Sequence, residues 1–547
     1  MRRELPLLLC LAWLAGPGCE RQAPPGDSSG RTSSNPGAPA QAGDPTLPPE
    51  LQPRSPAGSA TPDVKAPPEH TGPWFVVTAP AAAVYSVREF DKEKKIGYVR
   101  NGGRVPITGK TETTKSCSTG WQEVASGGYL CGNLGTTDPN HPQVKFAIKA
   151  PNLDDVLPYP YARNAKNGTP LYRSVPSREQ MDKYEPYLAE SKKKKKDDED
   201  STETAVPSDE VKTAALGSDP VLSEDGGVMD PDAGAPVEPW WKREDAKDRL
   251  HELTLDKLKE DSDDILAMRL VTGFYIAVDK TFSWNGRAWY KSTKGLIGPA
   301  DRFWQTAGSK FKGVELDGKN NKLPMAWVYG GRKTAPTYEI DVENKKTKPA
   351  RAVDVFTALP LTGKEIDIAG IRYSETRDGV WVKNIHVRIT RPGAPPKDLA
   401  PNERWVDVNL KEQTLVVFEG TRAIYATLIS SGKQSTEKEK DHRTPTGEWR
   451  VREKHVTTTM DGDGSAAGDL PYSIEDVPYV MYFQGSYALH AAFWHRNFGV
   501  QMSHGCVNLA PLDAKWVFMN SDPPLPKGFH GVWASAEHKG SRIVLHE

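Results

Sequence analysis

Residues 490–509 read HAAFWHRNFGVQMSHGCVNL and gather His490, His495 and His504 with Cys506, the one cysteine of the C-terminal half, into twenty positions. All four are metal-ligand types. Structural zinc favours paired knuckles such as C-x2-C with H-x3-H, and a zinc protease places H-E-x-x-H on a helix. Neither spacing occurs, so no metal is expected. A thiol nucleophile accounts for more of the pattern. The thiolate is the reactive form, an imidazole can take its proton, and backbone N–H groups around Gly505 and Cys506 can hold an oxyanion. Gly505 would let a substrate approach the backbone closely. Two histidines are available as the base, and residue type alone does not choose between them.

His490 and Cys506 are sixteen positions apart (506 minus 490), too far for one helical face. A sheet and its loops must bring them together. RWVDVNLKEQTLVVFEGTRAIYATLISSGK reads as alternating strands about the FEGTR turn, and TPTGEWRVREKHV as a further strand after a Pro-Gly break. PYVMYFQGSYALH ends with His490 where a strand meets a loop. VNLAPLDAKWVFMN reads as a helix with Pro511 in its first turn.

In this order RWVDVNLKEQTLVVFEG, SSGK, RTPTGEW, ALHAAFW and SHGCVNL closely resemble the YkuD-type L,D-transpeptidases, over about 145 residues. The resemblance implies that Cys506 is the nucleophile and His490 its base, oriented by the Ala491 carbonyl. Ser503, His504 and Gly505 would complete the catalytic turn, and Tyr472, Gly485, Ser486 and Asn508 would line the donor pocket. It further implies attack on the L,D bond after the third residue of a peptidoglycan tetrapeptide stem, release of D-Ala and transfer of the acyl group to an amine, with no cofactor. A hydrolase of the same fold and a wall-binding protein that has lost catalysis are the alternatives; the intact His490, His504 and Cys506 set speaks against the second.

The rest of the chain fits work outside the cytoplasm. Arg2 and Arg3 precede an apolar run from Leu5 to Ala15 and small residues up to Cys19. That is a secretory signal, and its ending resembles a lipoprotein box in which Cys19 would carry the lipid and hold the protein to a membrane. Export to the periplasm or cell envelope changes the reading of the remaining cysteines. Cys117 and Cys131 close a short loop in an oxidising compartment and are expected to form a disulfide, which leaves Cys506 as the odd thiol. With 71 Lys+Arg against 72 Asp+Glu the chain has no basic footprint, so nucleic acid is not an expected partner.

Across the 547 residues the expected fold class is mainly β: a C-terminal YkuD-type β-rich catalytic domain preceded by small SH3-like β-barrel modules and disordered linkers. Residues 1–19 are the signal. Residues 20–72, rich in Pro, Gly, Ser and Ala, cannot bury enough apolar surface to fold and read as a tether. Residues 73–150 alternate short apolar runs with Gly turns and resemble a bacterial SH3-like module. Residues 151–190 form a short Tyr-rich segment, 191–237 a charged linker, 238–397 a β-rich accessory domain opening with a helix, and 401–547 the catalytic domain.

Overall fold

The computed structural model describes residues 70–188, 240–241, 252–462 and 471–547. The signal, Cys19, nearly all of the tether and the charged linker lie outside the described residues. So does most of the helix expected at the start of the accessory domain; its described end holds only a 3-10 turn, Lys257–Lys259. Among the described residues no helix is long and apolar enough to cross a membrane.

From Trp74 onward the chain is mainly β. Its first module has strands β1 (Trp74–Val77), β2 (Ala81–Tyr85), β3 (Lys95–Arg100), β4 (Arg104–Glu112), β5 (Trp121–Val124), β6 (Tyr129–Cys131) and β7 (Gly135–Thr136). Neighbours run β7-β1-β4-β5-β6-β2-β3. The long β4 bends where its register shifts, between Ile107 and Thr111, and folds the sheet over a core of Phe75, Val84, Val99 and Ile107. Cys117 and Cys131 are disulfide-bonded, their Cα atoms 5.9 Å apart, beneath Trp121.

The second module comprises β8 (Tyr161–Asn164), β9 (Thr169–Tyr172), β10 (Leu266–Leu270), β11 (Tyr275–Trp284), β12 (Arg287–Ser292), β13 (Ile297–Pro299) and β14 (Phe303–Thr306). The segment 151–190 is therefore not a unit of its own. β8 pairs with β11 and β14, and β9 with β10 and β13, because four-residue strands with buried Tyr161, Leu171 and Tyr172 cannot cover their apolar faces alone. The segment 238–397 divides correspondingly. Its first part completes the second module, β15 (Val314–Glu315) bridges to the catalytic domain, and the remainder forms a third module. That module has β16 (Met325–Val328), β17 (Thr334–Asp341), β18 (Lys346–Asp354), β19 (Ala358–Ile368), β20 (Ile371–Thr376), β21 (Trp381–Lys383) and β22 (Val387–Thr390).

All three modules share one neighbour order. In each, a positive-φ glycine (Gly128, Gly295 or Gly379) turns the chain into the sixth strand. In each a 3-10 turn (Gly132–Leu134, Ala300–Arg302 or Asn384–His386) precedes the seventh.

The catalytic domain follows with β23 (Arg404–Asn409), β24 (Thr414–Glu419), β25 (Arg422–Ser430), β26 (Gly447–Arg450), β27 (Glu453–Gly462), β28 (Tyr472–Gln484), β29 (Tyr487–Ala491), β30 (Val507–Leu509), β31 (Gly531–Trp533) and β32 (Arg542–His546). One sheet runs β25-β24-β23-β32-β26 and the other β31-β27-β28-β29-β30. β25 belongs to both, since its last residues, Ile429 and Ser430, turn onto β30. Val417, Tyr425, Met481, Leu489, Val507 and Phe518 fill the space between, closed by the helix Pro511–Met519 with proline at its start.

The modules are built onto this domain. β3 pairs with β31, and β11 meets β28 at Tyr275 and Ile474. Arg100 of the first module forms a buried ion pair with Asp476 of β28, at 2.5 Å. Beside it, Thr293 of the second module also bonds the Asp476 carboxylate.

Candidate active site

The chemistry rests on one parallel ladder. β29 lies beside β30 with His490 opposite Asn508. Cys506 immediately precedes β30, two residues before Asn508. The His490 Nδ1 lies 3.1 Å from the Ala491 carbonyl oxygen. A carbonyl can only accept, so Nδ1 carries the proton and Nε2 keeps its lone pair. Burial pushes this imidazole down to about 4, opposed weakly by the Ala491 bond, so it is neutral at pH 7. Cys506 is half-buried, with Sγ 3.7 Å from the Ser486 carbonyl, the direction of a thiol donating its proton.

The Gly485-Ser486 turn that offers this carbonyl is the two-residue connection of β28 to β29, with Gly485 at φ +50°. Tyr472 opens β28 and stacks on His504 with ring centroids 5.5 Å apart; His442 meets His504 edge to face at 4.7 Å. The expected site residues Tyr472, Gly485, Ser486, Ser503, His504 and Gly505 therefore gather around Cys506. Asn508 is placed differently from expectation. It is 2 % exposed and lies behind the surface, its amide 3.1 Å from His495 Nε2, because its strand is covered by the loop that follows β29.

Two expected roles need correction. Gly505 was expected to give a substrate access to the backbone and to donate to an oxyanion. Its N–H instead donates to Ser503 Oγ at 3.1 Å, and the Ser503 hydroxyl donates to the Cys506 carbonyl at 2.5 Å, so these groups brace the turn. At φ +124°, a Cβ on Gly505 would fall 2.6 Å from the Tyr487 ring, so protein, not substrate, occupies that space. The Gly505 carbonyl is anchored by Thr444 Oγ1 at 2.7 Å, and the Gly432 N–H donates to the same hydroxyl at 2.9 Å. One buried threonine thus ties the SSGK, RTPTG and SHGC segments together. Anchoring that carbonyl fixes the peptide plane whose other side bears the Cys506 N–H.

Sequence reasoning missed the loop 492–499. Trp494 stacks on the His490 ring at 5.7 Å, and Phe493 packs on Tyr161 and Tyr275 of the second module. Phe498 is fully buried against Phe311 and Phe356. The third module holds the same loop through Gly330 N–H to Phe498 O at 2.7 Å and Arg388 Nε to Gly499 O at 2.8 Å. The aromatic run AAFWHRNF was the available signal, but its partners lie more than a hundred residues away. Among the described residues no group of three or more His, Cys, Asp or Glu side chains converges as a metal site.

Residues 403–533 match the family model of the YkuD L,D-transpeptidase catalytic domain. This part of the chain is similar to the L,D-transpeptidase catalytic domain. A curated relative named as an L,D-transpeptidase, YciB of Bacillus subtilis strain 168, is 29 % identical over 142 residues, covering 24 % of this chain and 68 % of that protein. Two solved structures are similar. The Ldtfm-avibactam carbamoyl enzyme is 21 % identical, with 29 % of this chain and 54 % of that chain covered and a TM-score of 0.21. The L,D-transpeptidase from Stackebrandtia nassauensis is 22 % identical, with 27 % and 58 % covered and a TM-score of 0.19. This chain spans little more than half the length of either.

Proposed function

We propose that this protein is a peptidoglycan L,D-transpeptidase in which Cys506 is the nucleophile and His490 the general base. The observation that supports the reading is the β29–β30 ladder, which runs the strand of His490, a neutral imidazole with its Nε2 lone pair free of the proton, beside the strand that Cys506 leads into, in a stretch that matches the L,D-transpeptidase family model. Nε2 takes the thiol proton as sulfur attacks the carbonyl of the L,D bond following the third stem residue. The oxyanion collapses, the C–N bond breaks, and the imidazolium returns the proton to the departing D-Ala amine, leaving a thioester. An acceptor amine then attacks, Nε2 takes its proton, and the thiol leaves as the new amide forms. The amine must be bound and oriented to outcompete water.

The N-terminal sequence supports export and lipidation at Cys19, which would put this chemistry in the cell envelope on a membrane tether. The three modules, which read as SH3-like, frame the catalytic loop in this proposal and work with it as one body.

Full-length protein incubated with disaccharide-tetrapeptide should release D-Ala and yield a dimer joined through third residues, with a trapped thioester on Cys506 by mass spectrometry. Cys506→Ala should give neither. D-Ala release with tripeptide as the sole product would move the assignment to a hydrolase, and no release from any tetrapeptide would leave a wall-binding role.

A further inference from the structure

The second module brings a cation towards the catalytic loop that no step above uses. Trp304 of β14 and Tyr275 of β11 both stand opposite Arg163 of β8, and Tyr275 in turn stands opposite Ile474 of β28. Directly opposed residues project from the same face of a sheet, so the four side chains form one row across four strands. That face is turned to the active site. Tyr161, two residues before Arg163, belongs to one apolar cluster with Tyr275 and Ile474, against which Trp494 and Cys506 pack, whereas Ala162 points the other way into the core of the second module. The Tyr275 ring lies 6.5 Å from Trp494, whose ring stacks on His490 at 5.7 Å. Arg163 is half-buried, and its side chain forms no ion pair or hydrogen bond among the described residues; its Nε is buried without a partner. In the same module Arg269 and Arg287 each hold a carboxylate. A guanidinium drawn out of water with its donors unused is costly unless an acceptor meets it. Its charge is felt along the row: burial raises the Tyr275 hydroxyl, and Arg163 opposes the rise. On the outer side Trp304 is 62 % exposed.

We propose that Arg163, flanked by Tyr275 and Trp304, is a substrate-binding residue that receives a free carboxylate of the donor stem peptide as the peptide lies along this row towards Cys506. This rests on the transpeptidase reading for the identity of the peptide. The planar fork of a guanidinium can take both oxygens of a carboxylate. From Arg163 to Ile474 is two strand spacings, about 10 Å, a span covered by about three extended residues. A stem peptide is thus long enough to reach from the guanidinium to the cluster that Cys506 packs against. The subsite lies outside residues 403–533, so it is a contribution of the second module to the site.

Binding tests this without turnover. Full-length Cys506→Ala protein is titrated calorimetrically with disaccharide-tetrapeptide and with the same peptide capped as amides at its free carboxylates. Capping should weaken binding by about tenfold or more, the loss of a charge-assisted, two-point bond. The double variant Cys506→Ala/Arg163→Gln should bind the uncapped peptide about tenfold more weakly than Cys506→Ala does. It should bind the capped peptide within about twofold of Cys506→Ala, which also reports an intact fold. Equal affinity of Cys506→Ala for the two peptides would overturn the proposal with no further variant, as would no measurable binding of the uncapped one. A loss in the double variant as large for the capped as for the uncapped peptide, in protein that unfolds at the same temperature, would overturn it too. If the carboxylate and Arg163 dependence is found but wild-type protein forms no acyl-enzyme, the transpeptidase reading falls and the subsite stands.

Discussion

The pH dependence of acylation separates a buried neutral base from an ordinary histidine. A base of pKa 6.5 is about 9 % neutral at pH 5.5, whereas one near 4 is about 97 % neutral, a difference of roughly tenfold in rate. His490 is 3 % exposed and lowered to about 4 by burial, so acylation should stay level from pH 7 down to about pH 5 and halve near pH 4. The same shift bears on folding. Between about 6.5 and 4 the unfolded chain binds a proton that folded His490 does not. Stability should therefore be unaffected above pH 6.5 and fall as pH drops through that window, by at most about 1.4 kcal/mol per unit. The assay is thioester formation by quenched-flow mass spectrometry in buffers from pH 4 to 8, restricted to conditions where circular dichroism is unchanged. A half-fall between pH 6 and 7 in folded protein would refute the reasoning, because it would mean that the base titrates as an ordinary solvated histidine.

Residues 401–547 produced alone would lose the surfaces that hold Phe493, Phe498 and Gly499, and should acylate at least tenfold more slowly than residues 73–547; equal rates would show that the modules are dispensable. Asp476→Asn leaves Arg100 without its ionised partner and should destabilise the folded body by about 3 kcal/mol, read by thermal unfolding. Reducing the Cys117–Cys131 bond, with fourteen residues of separation, should cost the first module roughly 3 kcal/mol in denaturant titration.

The carbonyl contact of His490 and the helix starting at Pro511 were legible because their signals are local: a motif of adjacent residues at a strand end, with the helix behind it. The purpose of Gly505 was misjudged because its neighbour, Tyr487, comes from another strand and leaves no trace in the SHGC motif. Asn508 was assigned to a pocket wall for the same reason, since only the folded loop shows that His495 covers it. The β character of residues 73–150 and of the end of 238–397 could be read from alternation and glycine turns. The repetition of one topology three times could not. The copies share a pairing order and a glycine position, which is a geometric likeness, and the middle copy is split between Tyr172 and Leu266 so that neither half looks like a module.

That split has a mechanical consequence. The second module is closed by β9 against β10 and β13 and by β8 against β11 and β14, so the two halves of the polypeptide clasp each other across the intervening segment. A protease cut between residues 191 and 237 would sever the covalent chain and leave this clasp intact: two bands under denaturing conditions, one particle under native ones. The peptide bonds of that segment are not what keeps the first module on the catalytic domain. The clasp also delays assembly, because strands β8 and β9 must wait for partners made almost a hundred residues later, and the loop they close is long enough to make that pairing a late event in folding.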